Sequence, residues 1–249
     1  MRIVLYRLLA VLLPLALLEI LCRVQIIKPL TLPAPSRMVL GLWMVIESGT
    51  FNAAILKTLT NVGLAAVLSV VAGIVAGAAI HRASVLRALL EPLFSAYYAI
   101  PIYAFYPLLI IVFGLGDVPQ VLIGFMLAVV SMIVSTLAGL DSVPPVLGKT
   151  ARVMQLGPVA TMRSLTLPYA APYLFTGVKL AVAYAFIGVI GAEFIMSGTG
   201  LGYEIRFAYD NLDNNIMYPL ILLILLIAVA INMSLDHWER LLRARRGRT

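Results

Sequence analysis

Residues 119–140 read PQVLIGFMLAVVSMIVSTLAGL, an uninterrupted stretch without a charged side chain. About 20 apolar residues in a helix are needed to cross the roughly 30 Å hydrocarbon core of a bilayer. In lipid a spanning segment must also satisfy its own backbone hydrogen bonds, which a helix does within itself. This stretch is therefore predicted to be a membrane-spanning helix.

Five further stretches of similar character flank it, and they determine the fold class. Hydrophobic residues make up 62% of the chain and charged residues only 12%, with a mean hydropathy of +1.04. Soluble domains carry about 25% charged residues, so the composition excludes an ordinary soluble fold. We predict an all-α membrane protein of about six spanning helices, at about 3–22, 53–80, 88–113, 119–140, 173–196 and 216–236.

Proline and glycine indicate how two of these spans are built. Pro101 and Pro107 fall inside the third span, which predicts a kinked or broken helix there. In the second span, Gly63, Gly73 and Gly77 suit close contact with a neighbouring helix, and the last two form a small-xxx-small pair. The alternative is that these glycines face lipid.

The N-terminal stretch ends near the single cysteine of the chain, Cys22. One cysteine excludes a disulfide framework and a cysteine-clustered metal site. The bulky pair Ile20-Leu21 does not suit a lipoprotein signal, and no A-x-A-like cleavage site follows. Residues 1–21 are therefore interpreted as a retained first span.

Lysines and arginines lie mostly on one side of the predicted membrane, which gives the chain a direction. With the N-terminus cytoplasmic, the inside segments hold twelve: Arg2, Arg7, Arg82, Arg87, Lys149, Arg152, Arg163, Arg240, Arg243, Arg245, Arg246 and Arg248. The outside segments hold four: Arg23, Lys28, Arg37 and Arg206. Both termini are predicted to be cytoplasmic, in a multi-pass protein of the bacterial inner membrane. This bias, with tail arginines contacting anionic lipid, accounts for the net charge of +7 without a nucleic acid partner.

The chain divides into a first span with an external segment (1–52), a core of five spans (53–240) and a basic cytoplasmic tail (241–249). Within the core, the cytoplasmic loop 141–172 is too long for a simple turn. Gly148–Leu156 and Val159–Leu165 are predicted to be two short helices separated by Gly157-Pro158. Such a pair is interpreted as a docking element, with a spacer as the alternative.

Residue patterns for catalysis or cofactor binding are scarce. The two histidines, His81 and His237, lack metal-ligand spacing, and no Walker A, HExxH or GxSxG sequence occurs. We expect no catalysis, metal or cofactor in this chain. An intramembrane enzyme would need paired catalytic side chains within the spans, and none is evident.

Ionisable and aromatic side chains within spans are the remaining candidates for a functional site. Glu193 lies late in the fifth span, where it either pairs with Lys179 or a backbone donor, in a structural or gating role, or contacts substrate. Glu91 is interpreted as a helix cap. Tyrosines near the Pro101 break either line a polar path or pack inside the protein; they are Tyr97, Tyr98, Tyr103 and Tyr106.

Short motifs in a fixed order carry a resemblance to a known family. The motifs are Leu32-Pro33-Ala34-Pro35-Ser36, Glu91-Pro92, Ala99-Ile100-Pro101, Pro107-Leu108, Phe113-Gly114-Leu115-Gly116, Leu167-Pro168, Glu193-Phe194 and Gly200-Leu201-Gly202-Tyr203. Together they resemble the permease subunits of ATP-binding-cassette (ABC) importers, in the nitrate/sulfonate/taurine/bicarbonate group. The resemblance covers nearly the whole chain after the first span, and it implies a type I importer permease fold.

The cytoplasmic loop departs from that family's signature, which runs EAA, three residues, Gly, and later I-x-L-P. Aligned on Leu167-Pro168, the segment Lys149-Thr150-Ala151 replaces EAA. Gln155 stands at the glycine position, and Gly157 follows two residues later, which leaves open a shifted turn.

The resemblance implies a division of labour between subunits. Two permeases, expected to be a homodimer, form the path for a small anionic solute. Two cytosolic ATPase subunits bind ATP and Mg²⁺, and a periplasmic or lipid-anchored binding protein delivers solute. The expected ATPase contacts are Lys149, Thr150, Ala151, Arg152, Gly157, Met162 and Arg163. A self-contained secondary transporter or channel is the alternative; it predicts internal repeats with matched broken helices, which are not visible in this sequence.

Overall fold

The computed structural model describes residues 2–28 and 31–246, which form a bundle of α-helices. The helices are α1 (Arg2–Arg23), α2 (Pro35–Ser48), α3 (Asn52–Arg82), α4 (Ser84–Tyr97), α5 (Tyr106–Phe113), α6 (Asp117–Asp141), α7 (Pro145–Val153), α8 (Pro158–Thr161), α9 (Leu167–Met196), α10 (Leu201–Asp210) and α11 (Asn214–Arg246). A 3-10 turn, Ile102–Phe105, precedes α5, and a π-helical segment, Met162–Thr166, joins α8 to α9. Of the predicted tail, residues 241–246 continue α11 and residues 247–249 lie outside the described residues.

The predicted spans correspond to helices of the structure. Within the described residues, four helices are long and apolar enough to cross a membrane: α3, α6, α9 with its flanking segments, and α11. Helix α4 and the segment 102–113 meet at an angle of 93°, and together they have the length and apolar character of a fifth, bent span. The first predicted stretch is α1, whose 22 residues extend about 33 Å at 1.5 Å per residue.

The break in the third predicted span lies at Pro101, as the sequence predicts. Helix α4 ends at Tyr97, and the chain resumes as a 3-10 turn directly after Pro101. Proline lacks the amide hydrogen that would continue the helical hydrogen bonds. Pro107 does not break the chain, because it lies in the first turn of α5, where that hydrogen is not needed.

Helix α6 lies at the centre of the bundle, between α3 and α9. A side-chain carbon added at Gly73 would lie 2.5 Å from Cβ of Met132, and one added at Gly77 would lie 2.7 Å from Cβ of Thr136. The predicted close contact of this glycine pair is confirmed, with α6 as the partner. The same prediction for Gly63 is wrong, because nothing lies within 4 Å of that position.

Helix α2 packs against the beginning of α11 and is anchored by polar contacts from α1. The Glu19 carboxylate accepts hydrogen bonds from the backbone N–H and the hydroxyl of Ser36, at 3.0 and 2.7 Å. It thereby caps the first turn of α2, whose amide groups have no helical partner. The Tyr218 hydroxyl of α11 donates to the Thr31 carbonyl and holds the same segment.

Candidate coupling surface and buried polar cluster

Helix α7 is the predicted first docking helix, displaced toward the N-terminus by about three residues. Pro144 is extended at the N-cap and Pro145 occupies the first helical position, where its fixed φ suits a helix start. The Thr150 hydroxyl donates to the Val146 carbonyl within the helix. The helix thus begins at a proline pair rather than at Gly148.

The turn after α7 is held by two backbone hydrogen bonds. The amide of Leu156 donates to the Ala151 carbonyl at 2.9 Å, and that of Gln155 donates to the Arg152 carbonyl at 3.1 Å. This is a Schellman motif, in which the residue after the C-cap adopts a left-handed conformation. Gln155 occupies that position with φ of +53°.

Gln155, which aligns with the family's glycine, thus has a conformation that glycine adopts more readily than glutamine. Gly157 has φ of −64° and is the extended N-cap of α8, so the turn is not shifted to it. Glycine is usual at a left-handed C′ position because it lacks the Cβ atom that clashes there. Gln155 is therefore a mildly strained residue at the left-handed position of this turn.

The second predicted docking helix is not a separate element. Pro158–Thr161 continues through the π-helical segment Met162–Thr166 directly into α9. Leu167-Pro168 lies in the first turn of α9 and does not interrupt it. The predicted division of the 141–172 loop into two short helices and a return segment is corrected to one free helix, α7, and an extension of the fifth span.

Six of the seven predicted ATPase contacts present exposed side chains or backbone. They are Lys149, Thr150, Arg152, Gly157, Met162 and Arg163. Ala151 differs, because it is only 4% exposed and packs inward at the Schellman turn. Between these polar residues lie exposed apolar side chains: Val146, Val153, Met154 and Val159. We call these ten exposed residues of α7 and of the segment that follows it the α7 surface. This surface combines positively charged side chains with exposed apolar ones.

The tyrosines near the Pro101 break are mostly occupied by contacts within the chain. The Tyr97 hydroxyl donates to the Met126 carbonyl and that of Tyr103 to the Ile187 carbonyl, both at 2.8 Å. Tyr106 is 1% exposed. Tyr98 is 54% exposed, and its ring lies 6.5 Å from that of Tyr184. Among the four, Tyr98 has the exposure that a path-lining side chain requires.

Glu193 is fully buried, and it ties three helices together at the outer end of the bundle. The Thr58 hydroxyl of α3 lies 2.8 and 3.0 Å from its two carboxylate oxygens. The backbone amide of Gly202 donates to Oε2 at 3.0 Å, and that of Leu201 donates to the Thr58 hydroxyl oxygen at 2.8 Å. Glu193 and Thr58 therefore cap the first turn of α10, whose dipole favours negative charge.

The glycines on either side of Leu201 allow this capping geometry. Gly200 has φ of +99°, and a Cβ atom there would overlap the Glu193 carboxylate. A Cβ atom at Gly202 would lie 2.5 Å from the Ile190 carbonyl oxygen. The segment Ser197–Gly202 is therefore a tight turn that receives the Glu193 carboxylate.

We call the contacts of Glu193 and Thr58 with the first turn of α10 the buried clamp. A second set of buried polar groups lies beside it, and the sequence analysis did not predict this set. The Asn61 amide donates to the Gln120 carbonyl oxygen at 2.9 Å, and the Gln120 amide donates to the Ser197 hydroxyl at 2.7 Å. Asn61 and Gln120 are 2% and 1% exposed. Buried polar groups are costly in lipid unless they are paired. The presence of Asn61 and Gln120 within apolar spans is therefore the sequence signal that could have predicted this set.

Of the two structural partners expected for Glu193, the backbone donor is confirmed as the Gly202 amide, whereas Lys179 is not its partner. Lys179 donates to Asp236 and to Glu239 of α11, the latter at 3.0 Å. Glu91 does not cap a helix, because it lies in the middle of α4. In the part of the chain that the structure describes, no three His, Cys, Asp or Glu side chains come together as metal ligands.

Comparisons with known proteins agree with this architecture. The family profile described as binding-protein-dependent transport system inner membrane component matches residues 69–248. The chain is 28% identical over 221 residues to the taurine transport system permease protein TauC of Escherichia coli, covering 87% of this chain and 80% of that protein. It is 26% identical over 216 residues to the nitrate import permease protein NrtB of Synechococcus elongatus, covering 83% and 77%. It is 28% identical over 187 residues to the bicarbonate transport system permease protein CmpB of the same species, covering 75% and 64%.

Two solved structures share the fold. An inward-facing form of the MetNI methionine ABC transporter matches with a TM-score of 0.61 at 18% identity, covering 86% of this chain and 98% of that one. An amino acid ABC transporter matches with a TM-score of 0.59 at 17% identity, covering 82% and 97%. At such identities the likeness establishes the fold alone. Since the family profile spans most of the sequence, the chain belongs to the binding-protein-dependent transport system inner membrane components, the non-enzymatic permease subunits of ABC importers, in which ATP is hydrolysed on separate subunits.

Proposed function

We propose that the α7 surface docks onto a cytosolic ATPase subunit and that two copies of this chain form the path for a small anionic solute. The docking proposal rests on the exposure of two apolar side chains, Val153 and Val159, which are 84% and 81% exposed. They lie near the exposed basic residues Arg152 and Arg163 in sequence. Exposed apolar groups among basic ones on a cytoplasmic loop are typical of a protein interface. ATP and Mg²⁺ bind on the ATPase, whose closure moves α7 as a rigid body.

The names of the relatives support the solute class. Taurine, nitrate and bicarbonate each carry a negatively charged group, and these are the solutes for which the three relatives are named. In this chain both lysines of the spans are already paired: Lys57 lies 2.9 Å from Asp117, and Lys179 contacts Asp236 and Glu239. We therefore expect weak intrinsic anion affinity and selectivity set by the periplasmic or lipid-anchored binding protein.

The docking is tested by replacing residues 145–156, which are α7 and its Schellman turn, with a Gly/Ser linker of the same length. The variant is expected to insert into the membrane and to lose co-purification with the ATPase, or to retain it while ATP hydrolysis no longer drives uptake. The replacement leaves the α8–α9 extension intact, since that extension belongs to the fifth span. Uptake at the parent rate would refute the docking role.

The solute and the pairing of permeases are tested separately. Solute-dependent thermal stabilisation of the binding protein, measured with taurine, nitrate and bicarbonate, is expected for one of these anions. Co-expression of two differently tagged copies of the chain is expected to yield complexes that carry both tags. Complexes carrying only one tag would contradict a homodimer and indicate a second, different permease.

A further inference from the structure

A two-pronged ion pair joins the broken span to the central helix at the cytoplasmic end. The Arg87 guanidinium of α4 donates to both carboxylate oxygens of Asp141, at 2.7 and 2.6 Å. Such parallel pairing is the most directional ion pair that proteins make. Asp141 is the last residue of α6, four positions before the start of α7. The pair thus connects α4 to the root of the cytoplasmic loop.

Apart from this pair, α4 packs against the bundle through partly buried side chains, with Leu90 and Phe94 contacting the apolar cluster that α3 and α6 form. None of its residues is buried, and Val85, Leu89 and Leu93 are more than half exposed. At its far end the Tyr97 hydroxyl donates to a carbonyl of α6. Between the two ends lies a cavity with space of about 360 Å³, lined by α4 and α6 side chains. The helix is therefore held by polar contacts at its ends and by half-buried apolar side chains between them, and it lies beside space into which it can shift.

The connection from Asp141 to α7 is short and stiff. The Ser142 hydroxyl donates to the Gly139 carbonyl at 2.7 Å, which extends the end of α6. Pro144 and Pro145 then fix two successive φ angles before α7 begins. We call residues 142–145 the proline strut. Because it has few soft dihedral angles, a displacement of α7 is passed to Asp141 rather than absorbed.

Helix α7 itself has space in which to move. A cavity with space of about 510 Å³ separates the loop from the ends of α3 and α6, and its lining includes His81, Gly148 and Leu156. His81 approaches Asp141 at 3.3 Å, but its Nδ1 atom makes no well-formed hydrogen bond. The contact of Asp141 with α3 is accordingly weaker than its contact with Arg87 of α4.

We propose that Asp141 is a positioning residue that transmits the displacement of α7, through the proline strut, to Arg87 and so to the broken span. The proposal rests on the proposed function, in which the ATPase moves α7. It assigns a route to the coupling: Asp141 is joined to α4 by a two-pronged ion pair, whereas its contact with His81 of α3 is weaker. Packed elements joined in this way move as units rather than deform continuously.

The test follows α7 and α4 separately in the complete permease–ATPase complex in lipid nanodiscs. In a Cys22→Ser background, an environment-sensitive fluorophore is attached at Gly148→Cys on α7, which lines the cavity and lies outside the α7 surface, or at Val85→Cys on α4. Each complex is compared without nucleotide and after trapping with MgATP and vanadate. In the parent both reporters are expected to respond. With R87Q the α7 response is expected to persist, while the α4 response falls by about fivefold or more, the lower range of a typical coupling between sites.

Two further variants separate transmission from general damage. The exchanged pair R87D with D141R is expected to recover the α4 response. K179Q removes an ion pair between α9 and α11, away from the proline strut, and is expected to leave both responses unchanged. A normal α4 response in R87Q overturns this inference alone. A silent α7 reporter in the parent complex overturns the proposed docking and this inference with it.

Discussion

Thr58 offers the sharpest test of the buried clamp, because one hydroxyl serves two buried partners. Its O–H donates to the Glu193 carboxylate, and its oxygen accepts the Leu201 amide at 2.8 Å. Thr58→Val keeps the shape and the β-branched character of the side chain but removes both hydrogen bonds. The main effect is therefore electrostatic and not steric.

The expected cost is the sum of two effects. Leaving the Leu201 amide without a partner costs about 1–3 kcal/mol, and removing a hydrogen bond to a buried carboxylate costs about 1.5–3 kcal/mol. The sum, about 2.5–6 kcal/mol, is a large share of a typical unfolding free energy of about 5–15 kcal/mol. At about 2–4 °C per kcal/mol for a chain of this size, the midpoint of thermal unfolding should fall by roughly 5–24 °C.

The assay is thermal unfolding of the purified permease in one detergent, with Thr60→Val as the matched control. Thr60 lies two residues along the same helix, is exposed, and donates only to the Leu56 carbonyl of its own turn. Its replacement should change stability by less than about 0.5 kcal/mol. Equal midpoints for the two variants, or a Thr58→Val midpoint within about 2 °C of the parent, would refute the clamp.

Three other predictions concern close packing, the turn after α7 and the external segment. Gly73→Ala should lower the midpoint of thermal unfolding, at a cost of about 1–3 kcal/mol, because the added Cβ atom would collide with α6. Gly63→Ala, the control, should leave the midpoint equal or raise it. A lower midpoint for Gly63→Ala than for Gly73→Ala would contradict the packing. Gln155→Gly should stabilise the chain by about 0.5–1 kcal/mol, because it removes the strain of a side chain at a left-handed position. Met154→Gly, at a right-handed position, should destabilise the chain. Chemical denaturation of both variants measures these changes, and a loss of stability in Gln155→Gly would be evidence against the turn. Arg206→Lys should cost about 1–2 kcal/mol, because lysine lacks the planar fork that directs two N–H donors at the Ile195 and Ser197 carbonyls in one fixed geometry. Hydrogen exchange over residues 195–203 should rise, and unchanged exchange would exclude this role.

The sequence determined the features that depend on local composition. Hydropathy over a window of about 20 residues is a local property, so five of the predicted spans coincide with long apolar helices or the bent pair, and the break at Pro101 follows from one missing amide hydrogen. The order of short motifs predicted the family, which the family profile confirmed over residues 69–248.

Local patterns misjudged the cytoplasmic loop in part. Gly157-Pro158 is the helix boundary that its composition predicts, because Gly157 is the N-cap and Pro158 the first residue of α8. The predicted end of that helix at Leu165 is wrong, because the chain continues as one helix into α9. Gln155 carries no sign of a left-handed conformation in its residue type, since the hydrogen bonds of the Schellman turn impose it. The family signature drew attention to position 155, and the left-handed backbone at Gln155 explains why glycine would suit that position.

Only the tertiary structure decided which polar groups meet. Glu193 lies 135 residues from Thr58, and Asp141 lies 54 residues from Arg87. A hydropathy pattern gives each helix an apolar surface but not the rotation or partner that brings two side chains within 3 Å. In lipid a buried polar group needs such a partner. The choice of partner is therefore made by the packing of α3, α6 and α9, where glycines at Gly73 and Gly77 bring the backbones close.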